Sequence, residues 1–189
     1  MSIDDIVAKV LQLQLAPWVT LTGGDPCIHE DLGDIISPIE IATGAWFNVE
    51  TQGEHFPEWL HYCSVITFSP KPPSSGNIVD IEDLRYWLRE ANLNYQKVCI
   101  KIVVGGEDDY AYARDVYAKI GTEAEQFWLS AVSPTGGLDE PAKARESSTL
   151  YSYRWLVQEY LNSGDLFKHN VRVGAQQHVL LWPDETTGR

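Results

Sequence analysis

Two glycines stand between a hydroxyl side chain and a carboxylate in the run Thr22-Gly23-Gly24-Asp25-Pro26, which follows a short apolar segment. Glycines at the end of a strand leave the backbone bare, so that its N–H and C=O groups can approach a ligand closely. The carboxylate of Asp25 could then pair with an ammonium group of that ligand. The same residue types are also typical of an ordinary turn, which the composition of the run alone favours.

Three further segments combine polar side chains with an abrupt end to an apolar run. Glu50-Thr51-Gln52-Gly53 offers an acid, a hydroxyl group and a glycine, and Ser69-Pro70-Lys71 offers a cation suited to a carboxylate or phosphate. Gln176-Gln177-His178 brings amides and an imidazole that could read the edge of a heterocycle. Ordinary solvated turns and a structural histidine would explain the same residues. A binding role is therefore favoured only if these segments lie together in the fold.

Strand-like and helix-like patterns alternate along the chain. Apolar and β-branched runs predict strands over residues 18–22, 46–51, 64–69, 98–104, 125–130 and 171–176. Apolar residues three and four apart predict helices over residues 2–15, 31–43, 81–93, 108–120 and 147–161, with Pro38 interrupting the second. Longer loops are expected over residues 70–79 and 133–146.

This alternation predicts an α/β fold of βαβ units with mostly parallel strands, either barrel-like or doubly wound. In such folds ligands gather at the C-terminal ends of the strands. The polar segments described above follow strands, and this placement favours a binding role for them.

Composition excludes several classes of function. A chain of 189 residues with 44% hydrophobic residues fits one domain over residues 1–189. The net charge of −13 opposes nucleic-acid binding. No apolar run approaches the roughly 18 residues of a membrane span, and the acidic N-terminus does not resemble a signal peptide, so we expect a cytoplasmic protein. Phosphate-loop, zinc-protease and nucleophile-elbow motifs are absent from the sequence.

The number and spacing of the cysteines argue against disulfide bonds and against a local iron–sulfur loop. Cys27, Cys63 and Cys99 are odd in number and lie 36 residues apart, which argues against paired disulfides. Their spacing also does not permit a local Cys-x3-Cys-x2-Cys loop.

Taken in order, the motifs resemble those of 7-carboxy-7-deazaguanine synthases, a radical-SAM family. The matching segments are residues 22–26, 50–53, 69–71, 97–104 and 177–182. The resemblance implies a partial (βα) barrel of radical-SAM type that binds S-adenosyl-L-methionine (SAM), a [4Fe–4S] cluster and Mg²⁺. It also implies conversion of a small pterin, 6-carboxy-5,6,7,8-tetrahydropterin, to 7-carboxy-7-deazaguanine by radical chemistry, and a homodimer, for which the 7 Trp and 9 Tyr would suit an interface.

The resemblance also assigns roles to positions that match the family's motifs. Residues implied to contact or line the SAM site are Gly23, Gly24, Asp25, Thr51, Ser69, Pro70 and Lys71. Residues implied to lie near the substrate are Thr22 and His178. Asp25 stands where the family usually has Glu, so its contact with the SAM amino group would be one methylene shorter. No catalytic side chain and no metal ligand is assigned.

One departure from the family concerns the iron–sulfur cluster. The family's cluster cysteines precede the Gly-Gly motif, whereas the 22 residues before Gly23 contain no cysteine. A cluster needs positioned thiolates, so we expect this chain to be an N-terminally incomplete version of a longer enzyme. Two alternatives stay open: completion by a separate polypeptide, or a non-catalytic homologue or partner subunit that binds SAM-like or pterin-like ligands without radical chemistry.

Overall fold

Six strands form one open sheet in the computed structural model, which describes residues 2–13, 17–76, 79–133, 142–164, 170–177 and 180. They follow one another across the sheet in chain order, and all run parallel. The strands are β1 (Trp18–Leu21), β2 (Trp46–Thr51), β3 (Val65–Phe68), β4 (Lys97–Val104), β5 (Gln126–Ala131) and β6 (Val171–Ala175). The helices are α1 (Ile3–Gln12), α2 (Gly33–Thr43), α3 (Ile81–Leu93), α4 (Glu107–Ile120) and α5 (Ala142–Asn162). The predicted α/β class with parallel strands is confirmed.

Alternating burial explains why the strands form where the sequence predicts them. In β4 every second side chain is buried, from Val98 through Ile100 and Ile102 to Val104. Successive side chains of a strand point to opposite faces of its sheet, so this pattern buries one face of β4 and leaves the other partly open. Each predicted strand boundary lies within one residue of the observed one.

The chain divides into two compact units. One comprises Met1–Pro70 and Val79–Cys99, and the other comprises Lys71–Ile78 and Ile100–Arg189.

In the first unit the register places three strand ends side by side. Leu21 pairs with Val49 between β1 and β2, and Thr51 pairs with Phe68 between β2 and β3. The glycines after β1 and the polar residues that end β2 and β3 therefore lie along one edge of the sheet. This is the edge at which the sequence predicts a site.

Local signals begin and end the helices of the first unit. Ser2 and Asp5 form a capping box at the start of α1, and Asp80 caps α3 by accepting a hydrogen bond from the Glu82 amide. Helix α2 continues through Pro38, which removes one backbone hydrogen bond. Buried isoleucines on the same helix offset that loss; they are Ile35, Ile36 and Ile39.

The second unit contains β5, β6, α4 and α5. Trp128 pairs with Arg172 between β5 and β6, and the guanidinium carbon of Arg172 lies 5.3 Å from the centre of the Trp128 ring. Helix α5 begins at Ala142, so the loop expected over residues 133–146 is wrong for residues 142–146. That segment, Ala-Lys-Ala-Arg-Glu, consists of strong helix formers. It has no large apolar residues at helical spacing, so the periodicity of apolar residues did not predict a helix there.

Among the described residues, no helix is both long and apolar enough to cross a membrane.

Candidate functional site

The backbone after β1 is open to solvent at two consecutive glycines. Gly23 has φ +95° and Gly24 has φ +52°, a region of conformation that side chains with a Cβ rarely adopt. No heavy atom of the protein would lie within 4 Å of a Cβ built on either residue. Thr22 and both glycines are exposed. The turn therefore presents bare backbone on which a ligand could lie.

The carboxylate of Asp25 holds this turn in place. Asp25 is only 8% exposed and caps the short 3-10 helix Pro26–Ile28 by accepting a hydrogen bond of 3.1 Å from the Cys27 amide. It also accepts hydrogen bonds from the Thr51 hydroxyl at 2.8 Å and from the Gln52 amide at 3.2 Å. Three donors offset the cost of burying the charge.

Thr51 connects the ends of three strands. Its side chain is 2% exposed, donates to Asp25 and accepts a hydrogen bond of 3.2 Å from the Gly53 amide. Its backbone carbonyl accepts a hydrogen bond of 2.7 Å from the Ser69 amide. Gly53 has φ +87° and packs so closely that a Cβ there would lie 3.1 Å from Leu84. The ends of β1, β2 and β3 thus form one hydrogen-bonded cluster.

The remaining predicted residues fall into three groups. Ser69 and Pro70 are buried directly after β3, in the same unit as Asp25 and Thr51. Lys71 is half-buried and begins the second unit. His178 lies outside the described residues. The predicted roles of all these residues in binding SAM or substrate stay predictions.

Two of the three cysteines in the first unit, Cys27 and Cys63, are buried thiols. Burial raises the pKa of the Cys27 thiol to about 12; a hydrogen bond with Thr51 opposes the rise, and the Asp25 charge adds to it. Burial likewise raises the pKa of the Cys63 thiol to about 12, with a smaller contribution from Cys27. Burial thus opposes the thiolate form in which cysteines bind iron–sulfur clusters. Within the described ranges no group of three His, Cys, Asp or Glu side chains could hold a metal ion.

The second unit contains a buried carboxylate that sequence reasoning missed. Asp109 is 2% exposed and accepts hydrogen bonds from the Gly105 amide at 2.8 Å and from the Ser74 amide at 3.2 Å. Its Oδ2 also accepts a hydrogen bond of 2.8 Å from the Ser74 hydroxyl. Acids in the first turn of a helix are usually solvated partners of the helix dipole, so Asp109 resembled its neighbours Glu107 and Asp108. The sequence signal that could have revealed Asp109 is the pair of glycines, Gly105 and Gly106, that follows strand β4.

Comparison with known proteins finds several relatives of one kind. A 7-carboxy-7-deazaguanine synthase of Bacillus cereus is 27% identical over 164 residues, which cover 87% of this chain and 66% of that protein. The synthase of Bacillus subtilis is 28% identical over 170 residues, with the same coverages. That of Methanospirillum hungatei is 31% identical over 143 residues, covering 74% of this chain and 54% of that protein. No family model matches the sequence.

The chain is thus similar in sequence to four 7-carboxy-7-deazaguanine synthases, at 27–31% identity. It matches 66% of the length of the two Bacillus relatives.

Solved structures of Streptococcus suis SuiB are similar to this chain in fold. The crystal structure of Streptococcus suis SuiB bound to S-adenosylmethionine has a TM-score of 0.59 and 13% identity, covering 97% of this chain and 44% of that one. A second SuiB structure has a TM-score of 0.60 and 14% identity, covering 98% and 46%. At such low identity the likeness concerns the fold alone. The expected α/β fold with parallel strands is confirmed, and its sheet is open.

Proposed function

We propose that this chain binds SAM and 6-carboxy-5,6,7,8-tetrahydropterin and takes part in forming 7-carboxy-7-deazaguanine. The observation that carries the proposal is the bare Gly23-Gly24 backbone, fixed by the hydrogen bonds of Asp25 to the end of the neighbouring strand. A preorganised backbone of this kind loses little conformational freedom when a ligand binds to it. Similarity to 7-carboxy-7-deazaguanine synthases supplies the identity of the ligands.

Each residue of the site would have a limited role. The N–H and C=O groups of Gly23 and Gly24 would hydrogen-bond the amino-acid part of SAM, with Asp25 fixing their conformation and adding negative charge near its ammonium group. Thr51 would act through Asp25, because its hydroxyl donates to that carboxylate. Ser69 and Pro70 would line the SAM site, and Thr22 would lie near the pterin, whereas the roles implied for Lys71 and His178 rest on the sequence resemblance alone. We propose no proton transfer by these side chains.

The residues present do not fit the family's iron–sulfur cluster. The sequence has three cysteines, two of which are buried thiols with pKa values of about 12. We therefore assign this chain the binding of SAM and pterin and derive no radical step from it. Mg²⁺ also belongs to the proposal only through the family.

A second candidate function is that of a non-catalytic homologue or partner subunit that binds the same ligands. The spacing of the three cysteines, 36 residues apart, and the burial of Cys27 and Cys63 favour it. Anaerobic reconstitution with iron and sulfide separates the two candidates. A stoichiometric cluster together with cleavage of SAM would contradict the binding-only function, whereas SAM binding without either would support it.

Isothermal titration calorimetry with SAM tests the proposed site. The Gly24→Ala variant places a methyl group on the exposed backbone, and we expect its affinity for SAM to fall on the order of tenfold. The matched control is Gly44→Ala, because Gly44 has φ +69° and equally open surroundings, yet lies at the end of α2. Both variants strain the backbone, but only the first touches the site. Equal loss of SAM affinity in both, or no SAM binding by the unaltered chain, would contradict the proposal.

A further inference from the structure

A depression lies at the N-terminal ends of the strands in the first unit, opposite the strand ends that carry the Gly23-Gly24 turn. It has a volume of about 490 Å³ and is lined by the first residues of strands, among them Trp18 and Trp46. It is therefore separate from the Gly23-Gly24 turn, which follows the C-terminal end of β1. Ligand pockets typically have volumes of roughly 300–1,000 Å³, so this depression is large enough for one small molecule.

Four large aromatic side chains surround the depression and are exposed. The exposed fractions are 46% for Trp18, 57% for Trp46, 64% for Tyr62 and 97% for Tyr95. The Trp18 and Trp46 rings lie 6.2 Å apart at an angle of 34°. Single exposed aromatics are common, but several around one concavity mark a surface that another molecule covers.

Tyr95 occupies a backbone conformation that opposes its side chain. It has φ +59° and follows the end of α3, where Tyr95 N–H donates to Asn92 O and Gln96 N–H donates to Ala91 O, both at 3.1 Å. This is a Schellman motif, in which glycine is the residue with the least strain. Because the Tyr95 side chain is almost fully exposed, packing within the chain does not offset the strain. A strained residue of this kind indicates a functional role.

The polar groups at the depression indicate the chemistry of its occupant. Backbone amides at three strand starts are already used: Trp46 donates to Pro17, Ser64 to Phe47 and Lys97 to Ser64. Contacts with the edge of a ligand would therefore come from side chains, including the Glu40 carboxylate and the Lys97 ammonium group. A carboxylate accepts from ring N–H groups, and an ammonium group donates to carbonyl or ring nitrogen atoms. Charges of both signs disfavour a lipid chain, and the net charge of −13 disfavours a nucleic acid.

We propose that Trp18, Trp46, Tyr62 and Tyr95 form a binding site for one uncharged, flat heteroaromatic molecule of pterin or purine size. The rings stack on its faces, and Glu40 and Lys97 contact its polar edge. The site does not depend on the function proposed for the Gly23-Gly24 turn, because the two lie at opposite ends of the strands.

Equilibrium dialysis with pterin as the probe tests this site. Trp46→Ala removes one stacking face and should weaken pterin binding on the order of tenfold. Tyr95→Gly should weaken binding while raising the thermal midpoint of unfolding, because glycine relieves the strain at φ +59°. A purely structural role for Tyr95 predicts no loss of binding.

The matched control for both variants is Tyr86→Ala, since Tyr86 is 56% exposed on α3 but does not line the depression.

Titration of the same variants with SAM separates this site from the strand-end site. We expect Trp46→Ala and Tyr95→Gly to lose pterin binding while their affinity for SAM stays that of the unaltered chain. Equal loss of SAM and pterin binding in these two variants, or no binding of pterin by the unaltered chain, would overturn the inference. Sedimentation velocity supplies a further check, because dissociation of a dimer by Trp46→Ala would show that a second copy covers these rings.

Discussion

Thr51 donates its hydroxyl hydrogen to Oδ1 of Asp25 over 2.8 Å, although the two residues lie 26 positions apart in the sequence. Thr51 ends β2, and Asp25 follows the Gly23-Gly24 turn after β1. The conformation of the exposed glycine backbone is thus held from the neighbouring strand. This contact makes the proposed SAM site sensitive to a side chain that need not touch SAM.

Removal of the Thr51 hydroxyl should destabilise the fold and weaken SAM binding. Thr51→Val keeps the shape of the side chain but leaves buried Asp25 with one donor fewer, which we expect to cost about 1.5–3 kcal/mol of unfolding free energy. Urea denaturation measures this loss, and calorimetry measures the affinity for SAM. Thr51→Ser retains the hydroxyl and serves as the control. Unchanged stability in Thr51→Val would show that the hydrogen bond contributes nothing.

Asp109 should be the most sensitive acid in the first turn of α4. Asp109→Asn replaces one acceptor oxygen with an NH₂ group that faces the donors from Gly105 and Ser74. We expect a loss of about 1–3 kcal/mol of unfolding free energy, measured by urea denaturation. Asp108→Asn is the matched control, because Asp108 lies on the same turn but is exposed. Equal effects of the two substitutions would contradict a special role for Asp109.

Gly33 should tolerate no side chain because another segment lies against it. A Cβ at Gly33 would approach Trp59 Cβ to 2.8 Å, and the Trp59 indole is held by its hydrogen bond of 3.0 Å to the His29 carbonyl. We expect Gly33→Ala to cost about 1–3 kcal/mol of unfolding free energy through overpacking. Ser37→Ala, at an exposed position on the same helix, is the control for the thermal unfolding measurement. A Gly33→Ala variant as stable as this control would show that Trp59 moves freely.

The sequence predicts the strands better than the contacts between their ends. Burial with a period of two, as in β4, specifies each strand from local residues alone. The hydrogen bond between Thr51 and Asp25 depends on the register that pairs Leu21 with Val49, and no local pattern reveals that register. Asp109 was missed for a related reason, since its partner Ser74 lies 35 residues away. The continuation of α2 through Pro38 likewise depends on tertiary burial, which outweighs the local penalty.

The family resemblance was recognisable because its motifs are short and lie at strand ends. Gly23, Gly24 and Asp25 gather with Thr51 and Ser69 in the first unit, as a site at one edge of a parallel sheet requires. Their placement favours contact with SAM, and the calorimetric experiment tests it. Homodimer formation and the roles of Lys71 and His178 likewise stay predictions.

Alkaline pH should destabilise the protein through its two buried thiols. The pKa of Cys27 and that of Cys63 rise to about 12 in the fold from an ordinary value of 9.0. Between about pH 9 and about pH 12 the folded chain therefore keeps protons that the unfolded chain releases, and the unfolding free energy falls as the pH increases. The stabilisation is fully present below about pH 9 and is lost as the pH rises through about 12.

Urea denaturation across this alkaline range measures the effect by difference. Lys and Tyr side chains titrate in the same range, so the informative quantity is the change in pH dependence that one cysteine substitution causes. Cys27→Ala should flatten the dependence, because it removes one of the two thiols whose pKa is raised. Cys99→Ala should leave it steep, because Cys99 is only half-buried. If both variants retain the slope of the unaltered protein, the buried thiols do not govern alkaline stability.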